Sequence, residues 1–357
     1  MKVLQKRKSA SKRQRTYVLG FINDSGEIGY RELALPEFRQ DQVLVRIHYC
    51  AICTLEQRIY SGVIKLYPFA CGHEVSGVVE AVGEKVTSVR PGDKVAVQLL
   101  SACGECNYCR ASHENHCVVS FRTSMHEGLR GPGGFSQYIV TGANSVYRLD
   151  ENVNLVHASL TEPLACCVHS VRNANICLGE DVVIIGTGFV GALHVQLAKM
   201  SGARVIVCEV DKGRLEMATR LGADVTVNSL TENALEKVRD LTQGRGADVV
   251  FCTSAVSRIA EESIEMAGKL GRVVLCSSFH PGLPAEFDVN KVHSHETVIT
   301  GSANPGTRDF LTATRMLSYN LIDVSHLISE IYPLSEADAA FKMAIKPETY
   351  RVVVNCV

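Results

Sequence analysis

No apolar run in the 357-residue chain reaches the roughly 18 residues that a membrane-spanning helix needs. The first residues carry neither the apolar segment nor the small-residue cleavage site of a secretory leader, so a cytoplasmic, non-membrane location is expected. Internal repeats are absent, and so is low-complexity sequence beyond a short basic start. The fourteen cysteines lack the spacing of a small disulfide scaffold, which predicts free thiols and metal ligands in a reducing compartment. Acid is missing from residues 1–15, where Lys2, Lys6, Arg7, Lys8, Lys12, Arg13 and Arg15 give a charge of +7. The remainder holds 30 basic against 38 acidic residues, near −8, beneath an overall charge of −1. Such a tail can bind nucleic acid or a membrane surface. A solvated, disordered extension docking on the acidic body is the expectation, with no nucleic-acid partner.

What is present divides the chain by texture. From Thr16 to about Arg148, short β runs such as Q-V-L-V-R-I-H-Y-C and E-V-S-G-V-V-E-A-V-G alternate with Gly and Pro, which reads as a mostly antiparallel barrel or sandwich. From about Asp181, six apolar runs (182–186, 204–208, 224–227, 248–252, 272–276 and 297–301) are separated by helical segments such as 214–221 and 259–270. That alternation predicts an α/β unit, a doubly wound parallel sheet covered on both faces. At this length two domains are expected, and residues 307–357 mix a helix with closing β residues that could return to the first.

Three constellations carry chemistry. G-T-G-F-V-G, with Gly186, Gly188, Phe189, Val190 and Gly191, follows a strand and opens a helix, and Glu209 ends the next strand 23 residues after Gly186. In that context the glycines permit a tight turn, the helix start presents N–H groups to a pyrophosphate, and the acid accepts the ribose hydroxyls and repels a 2′-phosphate. NAD is the expected cofactor. Cys103, Cys106, Cys109 and Cys117 follow C-x2-C-x2-C-x7-C, enough thiolates to close a tetrahedral shell around a structural zinc. His113 and His116 are possible competing ligands, and an iron–sulfur cluster uses the same ligand type. Third, Cys53, His73, Glu74 and Glu162 together supply the thiolate, imidazole and carboxylates of an open catalytic zinc site, although each alone reads as packing.

A-I-C, G-H-E-V-S-G-V-V-E-A-V-G, P-G-D-K-V, the four-Cys segment, G-G-F-S-Q-Y, E-P-L-A and G-T-G-F-V-G occur in this order. The chain thereby resembles the zinc-dependent medium-chain dehydrogenases, closest in texture to the sorbitol (polyol) and threonine dehydrogenase branch. The resemblance implies a GroES-like catalytic domain at 16–167 and 304–357 (structural zinc lobe 101–118), a Rossmann domain at 168–303, and a tail at 1–15. It also implies a homo-dimer or homo-tetramer. Two zinc ions per chain are implied, the catalytic one on Cys53, His73 and Glu162, with Glu74 as an alternating or additional ligand. Arg351 then falls near the cofactor pyrophosphate, Arg214 near the adenosine ribose, and Asn304 near the mouth of the interdomain cleft.

The segment Cys53-Thr54-Leu55-Glu56 departs from the family pattern C-x-[ST]-D. Leu55 replaces a hydroxyl that would relay the substrate proton, and Glu56 takes the place of the acid that orients the ligating histidine. The proton must leave through Thr54, a water chain or Glu74. Arg58 is expected to contact the cofactor, or else to clamp an anionic substrate group. The expected activity is alcohol dehydrogenation at a secondary hydroxyl of a polyol, sugar or related small metabolite. The alternatives are an anionic or amino-hydroxy substrate held by Arg58, and a non-catalytic binding protein of the same fold.

Overall fold

A computed structural model describes residues 15–100, 102–119, 125–279 and 282–357. Residues 1–14, which hold most of the basic tail, lie outside these. Arg15 pairs with Glu80 at 3.0 Å and donates to Tyr138 OH at 3.2 Å.

Six parallel strands form one sheet: Val225–Asn228, Arg204–Glu209, Asp181–Ile185, Ala247–Cys252, Ala267–Leu275 and Val298–Gly301, in that spatial order. In sequence terms the order is 3-2-1-4-5-6, so the winding direction reverses between Asp181–Ile185 and Ala247–Cys252, where a doubly wound sheet opens its ligand crevice. Apolar clusters cover both faces, around Val182, Val205 and Phe251 on one side and Val183, Ile206 and Val273 on the other. One expectation fails at an edge. The helix over 259–270 is Ser257–Met266, because from Ala267 the chain already pairs with Ala247 and runs on as strand to Leu275.

The other large sheet has seven strands, antiparallel except where Ile328–Pro333 runs beside Arg351–Asn355. Its central strand, Gln42–Ala51, is flanked by Arg351–Asn355, Glu74–Val82 and Tyr138–Gly142. Late residues therefore complete the early sheet, with Val353 opposite Ala51. A third cluster, including Leu164, Phe189, Leu193, Phe310 and Val353, packs the helices Thr161–Ala174, Phe189–Met200 and Thr307–Ser318 between the two sheets. It fixes the two sheets against each other and leaves a cleft along their shared edge.

Candidate active site

Strand register brings the dispersed donors together. Ala51 lies opposite both Glu74 and Val353, so Cys53, His73 and Arg351, one or two residues beyond, gather at the same end of three neighbouring strands. Glu162 arrives in the first turn of Thr161–Ala174. Donor atoms of Cys53, Glu56 and His73 lie within 4.8 Å of one another, as do those of His73, Glu74 and Glu162, so His73 joins the two triplets.

The surroundings of these donors match a cation. Burial pushes the Cys53 thiol up and, with Glu74 nearby, raises the Glu162 carboxyl to about 7. Burial opposes charge on His73 as well, but Glu56 and Cys53 facing it raise its pKa well above the usual imidazole value. Glu56 is fully buried, and its Oε1 lies 2.8 Å from His73 Nδ1, an approach that falls short of hydrogen-bond angle. The same oxygen accepts Gly72 N–H at 3.2 Å, and Oε2 has no hydrogen-bond partner among the described residues. A thiol, an imidazole and a carboxylate gathered in a dry site, with an acid behind the imidazole, is a zinc donor set with room for one more ligand.

Glu74 differs from its expected part. Both its oxygens are held by Arg351, Oε1 by Nη2 at 2.5 Å and Oε2 by Nε at 3.1 Å, in a fully buried bidentate pair. A carboxylate so engaged is poorly placed to swing onto a metal. Arg351 in turn stacks 4.5 Å from the Phe189 ring centroid, and so reaches the start of the glycine-motif helix while also lining the cleft.

That cleft, about 310 Å³, lies at the sheet's reversal point. Gly186 has φ +86°, and a Cβ on Gly191 would stand 2.0 Å from Gly186 O, so the turn demands glycine at both positions. Gly188, Phe189 and Val190 line the cleft where Phe189–Met200 begins, and Gly188 caps that helix with no side chain over its N–H groups. Arg214 approaches Gly188, hydrogen-bonds Pro347 O and lies over the Tyr350 ring. Glu209 is more occupied than expected. Thr187 N and Oγ1 donate to one oxygen at 2.7 and 3.2 Å, and Val210 N and Asp211 N to the other at 2.7 and 3.1 Å. One oxygen therefore braces the glycine turn through Thr187 and the other the start of the next loop, which fills its four acceptor positions.

The proton-relay segment also resolves. Thr54 is exposed and faces the cleft, whereas Leu55 is half-buried and packs against the core cluster that includes Ile59 and Phe135. Arg58 crosses the cleft and donates through Nη2 to Ser278 O at 2.6 Å, tying the two walls together. Asn304, with φ +55°, donates to Asn115 O at 3.4 Å.

In the lobe, the four cysteine sulfurs lie within 4.8 Å of one another. Cys103 and Cys106 stand 3.9 and 3.4 Å from Cys109. Thiolates held about 2.3 Å from a tetrahedral zinc are about 3.8 Å apart, so the set fits that ion without rearrangement. Backbone N–H groups of Cys109 and Val118 draw the Cys106 thiol down to about 6. His116 instead turns toward Tyr108. Sequence reasoning missed a buried network behind the cleft. His194 Nδ1 lies 2.8 Å from Val190 O, its Nε2 lies 2.8 Å from Ser170 Oγ, and Ser170 reaches Cys276 Sγ at 3.2 Å. Only the helical position of His194 hinted at its burial.

Known proteins agree with this architecture. Residues 39–151 match the alcohol dehydrogenase GroES-like domain, and 190–319 match the zinc-binding dehydrogenase domain. Sorbitol dehydrogenase of Halalkalibacterium halodurans is 30% identical over 93% of this chain and 96% of its own length. D-arabitol-phosphate dehydrogenase of Enterococcus avium is 29% identical over 92% and 94%. A solved zinc-binding dehydrogenase from Sinorhizobium meliloti, bound to NADP, superposes with a TM-score of 0.87 at 26% identity, covering 96% of this chain and 100% of that one. Among the described residues no helix is long and apolar enough to cross a membrane. With both family domains matched in order and a relative aligned nearly end to end, the chain belongs to the zinc-dependent medium-chain dehydrogenases.

Proposed function

We propose that the protein is a zinc- and NAD-dependent polyol dehydrogenase that oxidises a secondary hydroxyl by hydride transfer to the nicotinamide. The observation that carries this reading is the meeting at His73 of two donor triplets, one with Cys53 and one with Glu162, near a cleft lined by Gly188–Gly191 of the glycine turn. Zinc bound to those donors supplies a Lewis acid that lowers the pKa of a substrate hydroxyl toward neutrality.

The chain's own groups do the rest. Glu56 holds the His73 ring, and Arg351 neutralises Glu74, so that a single carboxylate, Glu162, remains for a cation. The Thr54 hydroxyl, facing the cleft where Leu55 cannot, is the route by which the proton reaches solvent. The uncovered N–H groups after Gly188 receive the pyrophosphate, with Arg214 at the adenosine end. The Glu209 carboxylate disfavours a 2′-phosphate by charge, although its hydrogen-bonding capacity is spent on the turn.

The reading assigns 16–167 with 304–357 to a catalytic unit and 168–303 to a nucleotide unit, supported by the sheets each segment joins. Structural zinc on Cys103, Cys106, Cys109 and Cys117 completes two metals per chain. Fourteen cysteines with no disulfide among the described residues support a cytoplasmic setting. A homo-dimer or homo-tetramer, as in the family, is checked by light scattering. NADH formation across polyols, sugars, hydroxy acids and sugar phosphates tests the function, and turnover of no neutral polyol would refute it. An anion clamp at Arg58 is tested by the same panel. If Arg58→Ala lowers activity on phosphorylated and neutral polyols equally, the side chain serves the cleft wall through Ser278 and not the substrate.

A further inference from the structure

The metal lobe does more than stand apart as a staple. Between Cys109 and Cys117 it sends Glu114 and Asn115 against a second, small cavity of about 30 Å³, whose remaining wall includes Gln98, Asn304 and Glu162. Glu162 belongs at once to this cavity and to the donor cluster around His73, so the cavity opens directly beside the reacting position.

Its polar walls are held in place. Asn115 Nδ2 donates to Ala303 O at 3.2 Å and approaches His169 Nε2 at 3.4 Å. His169 Nδ1 lies 3.0 Å from Asp309, which also accepts Gly306 N–H at 2.9 Å and pairs with Arg172. Gln98 is buried and fixed by Tyr147 OH at 2.9 Å. Glu114 faces the space with no ion pair among the described residues.

We propose that this cavity is a hydroxymethyl subsite, in which Glu114 accepts a hydrogen bond from the hydroxyl on the carbon next to the one being oxidised. The inference rests on the dehydrogenase reading above and adds which end of the polyol enters first. Size and charge both argue for it. The space is small and lined by Gln98, Glu114, Asn115 and Asn304, and it has room for a hydroxyl-bearing group the size of a water or somewhat larger. The Glu114 carboxylate in its wall disfavours an anion in the same place, so a phosphorylated substrate keeps its phosphate away from it. A polar pocket also disfavours a methyl in the same place, because it would leave buried acceptors unpaired.

The test compares 1,2-propanediol with 2-propanol, both oxidised at a secondary carbon, in the zinc-loaded full chain. Glu114→Leu should lower the diol-over-monoalcohol ratio of kcat/KM by about 10- to 100-fold, the loss of one hydrogen bond to a charged group. Glu114→Gln, which still accepts a hydrogen bond, should restore part of it. Gln98→Leu alters the cavity from outside the lobe and should shift the ratio the same way, even if Glu114→Leu disturbs the metal. Diol binding to the enzyme–NADH complex, followed by nucleotide fluorescence, should weaken in step. An unchanged ratio in Glu114→Leu and Gln98→Leu would overturn the subsite while leaving the dehydrogenase intact. So would a larger effect on 1-amino-2-propanol than on the diol, since the wall would then be an ammonium site. Failure of the wild-type chain to oxidise either alcohol would overturn the dehydrogenase reading, and the subsite with it.

Discussion

The two donor sets of this chain are built by opposite routes. The lobe gathers four thiols from fifteen consecutive residues, partly exposed, with backbone N–H groups that favour the thiolate at Cys106 while burial pushes the Cys109 thiol up to about 12. The cleft site draws Cys53, His73 and Glu162 from three distant segments and buries them where, without a cation, burial drives thiol and carboxyl toward their neutral forms. A local four-thiol set closes its own shell and stays inert. A dispersed set of mixed donors depends on strand register and a bidentate ion pair, and it leaves a position for chemistry.

Removing one thiol from each set is the strongest way to break this contrast. Cys53→Ser should lower kcat/KM by ~1000-fold or more and reduce metal content from two zinc to one, with thermal unfolding little changed. Equal damage to stability would show that the cleft site, too, is structural. Cys106→Ser should do the reverse first. It should lower the unfolding temperature by ~5 °C or more as the lobe loses its ion, while the remaining zinc keeps the cleft signature in a cobalt-substituted spectrum. A smaller effect should come from behind the imidazole, where Glu56→Gln is expected to lower metal affinity or activity by about 10- to 100-fold. Competition with a chelator would expose the error if affinity held.

The smallest effect concerns a buried titratable group with no metal at all. Burial lowers the His194 pKa to about 4. Between that value and the unfolded value near 6.5 the unfolded chain binds the extra proton, so stability rises with pH across this window and is lost as pH falls through it. The full contribution is of the order of 3 kcal/mol at most. His194→Leu should flatten the slope of urea stability between pH 4 and 6.5, and an unaltered slope would place the acid sensitivity elsewhere.

The same division between local and distant explains what the sequence made legible. The four-Cys lobe, the glycine turn and all six parallel strands could be read because each is written in neighbouring residues, by spacing, by steric need at Gly186 and Gly191, or by unbroken apolar runs. The end of the helix at Met266 was misplaced because 267–270 keeps an apolar period, and only pairing of Ala267 with Ala247 makes it strand. Arg351 and Glu74 were assigned separate tasks since 277 residues separate them, and nothing local records that they share two hydrogen bonds. Glu209 is the expected ribose acceptor, yet Thr187 of the glycine turn and the backbone of Val210 and Asp211 claim all four acceptor positions. Leu55 puzzled as a missing hydroxyl until the helix Thr54–Tyr60 turned it inward and left Thr54 in the cleft.

The last strand sets a schedule for biosynthesis. Because Arg351 clamps Glu74 and Val353 closes on Ala51, a ribosome must deliver residues 351–355 before the cleft site attains its final geometry. The lobe, complete by Cys117, can acquire its ion two hundred residues earlier in translation. Under the proposed function, a nascent chain can thus hold an ion in its lobe while residues 351–355 have yet to complete the cleft site.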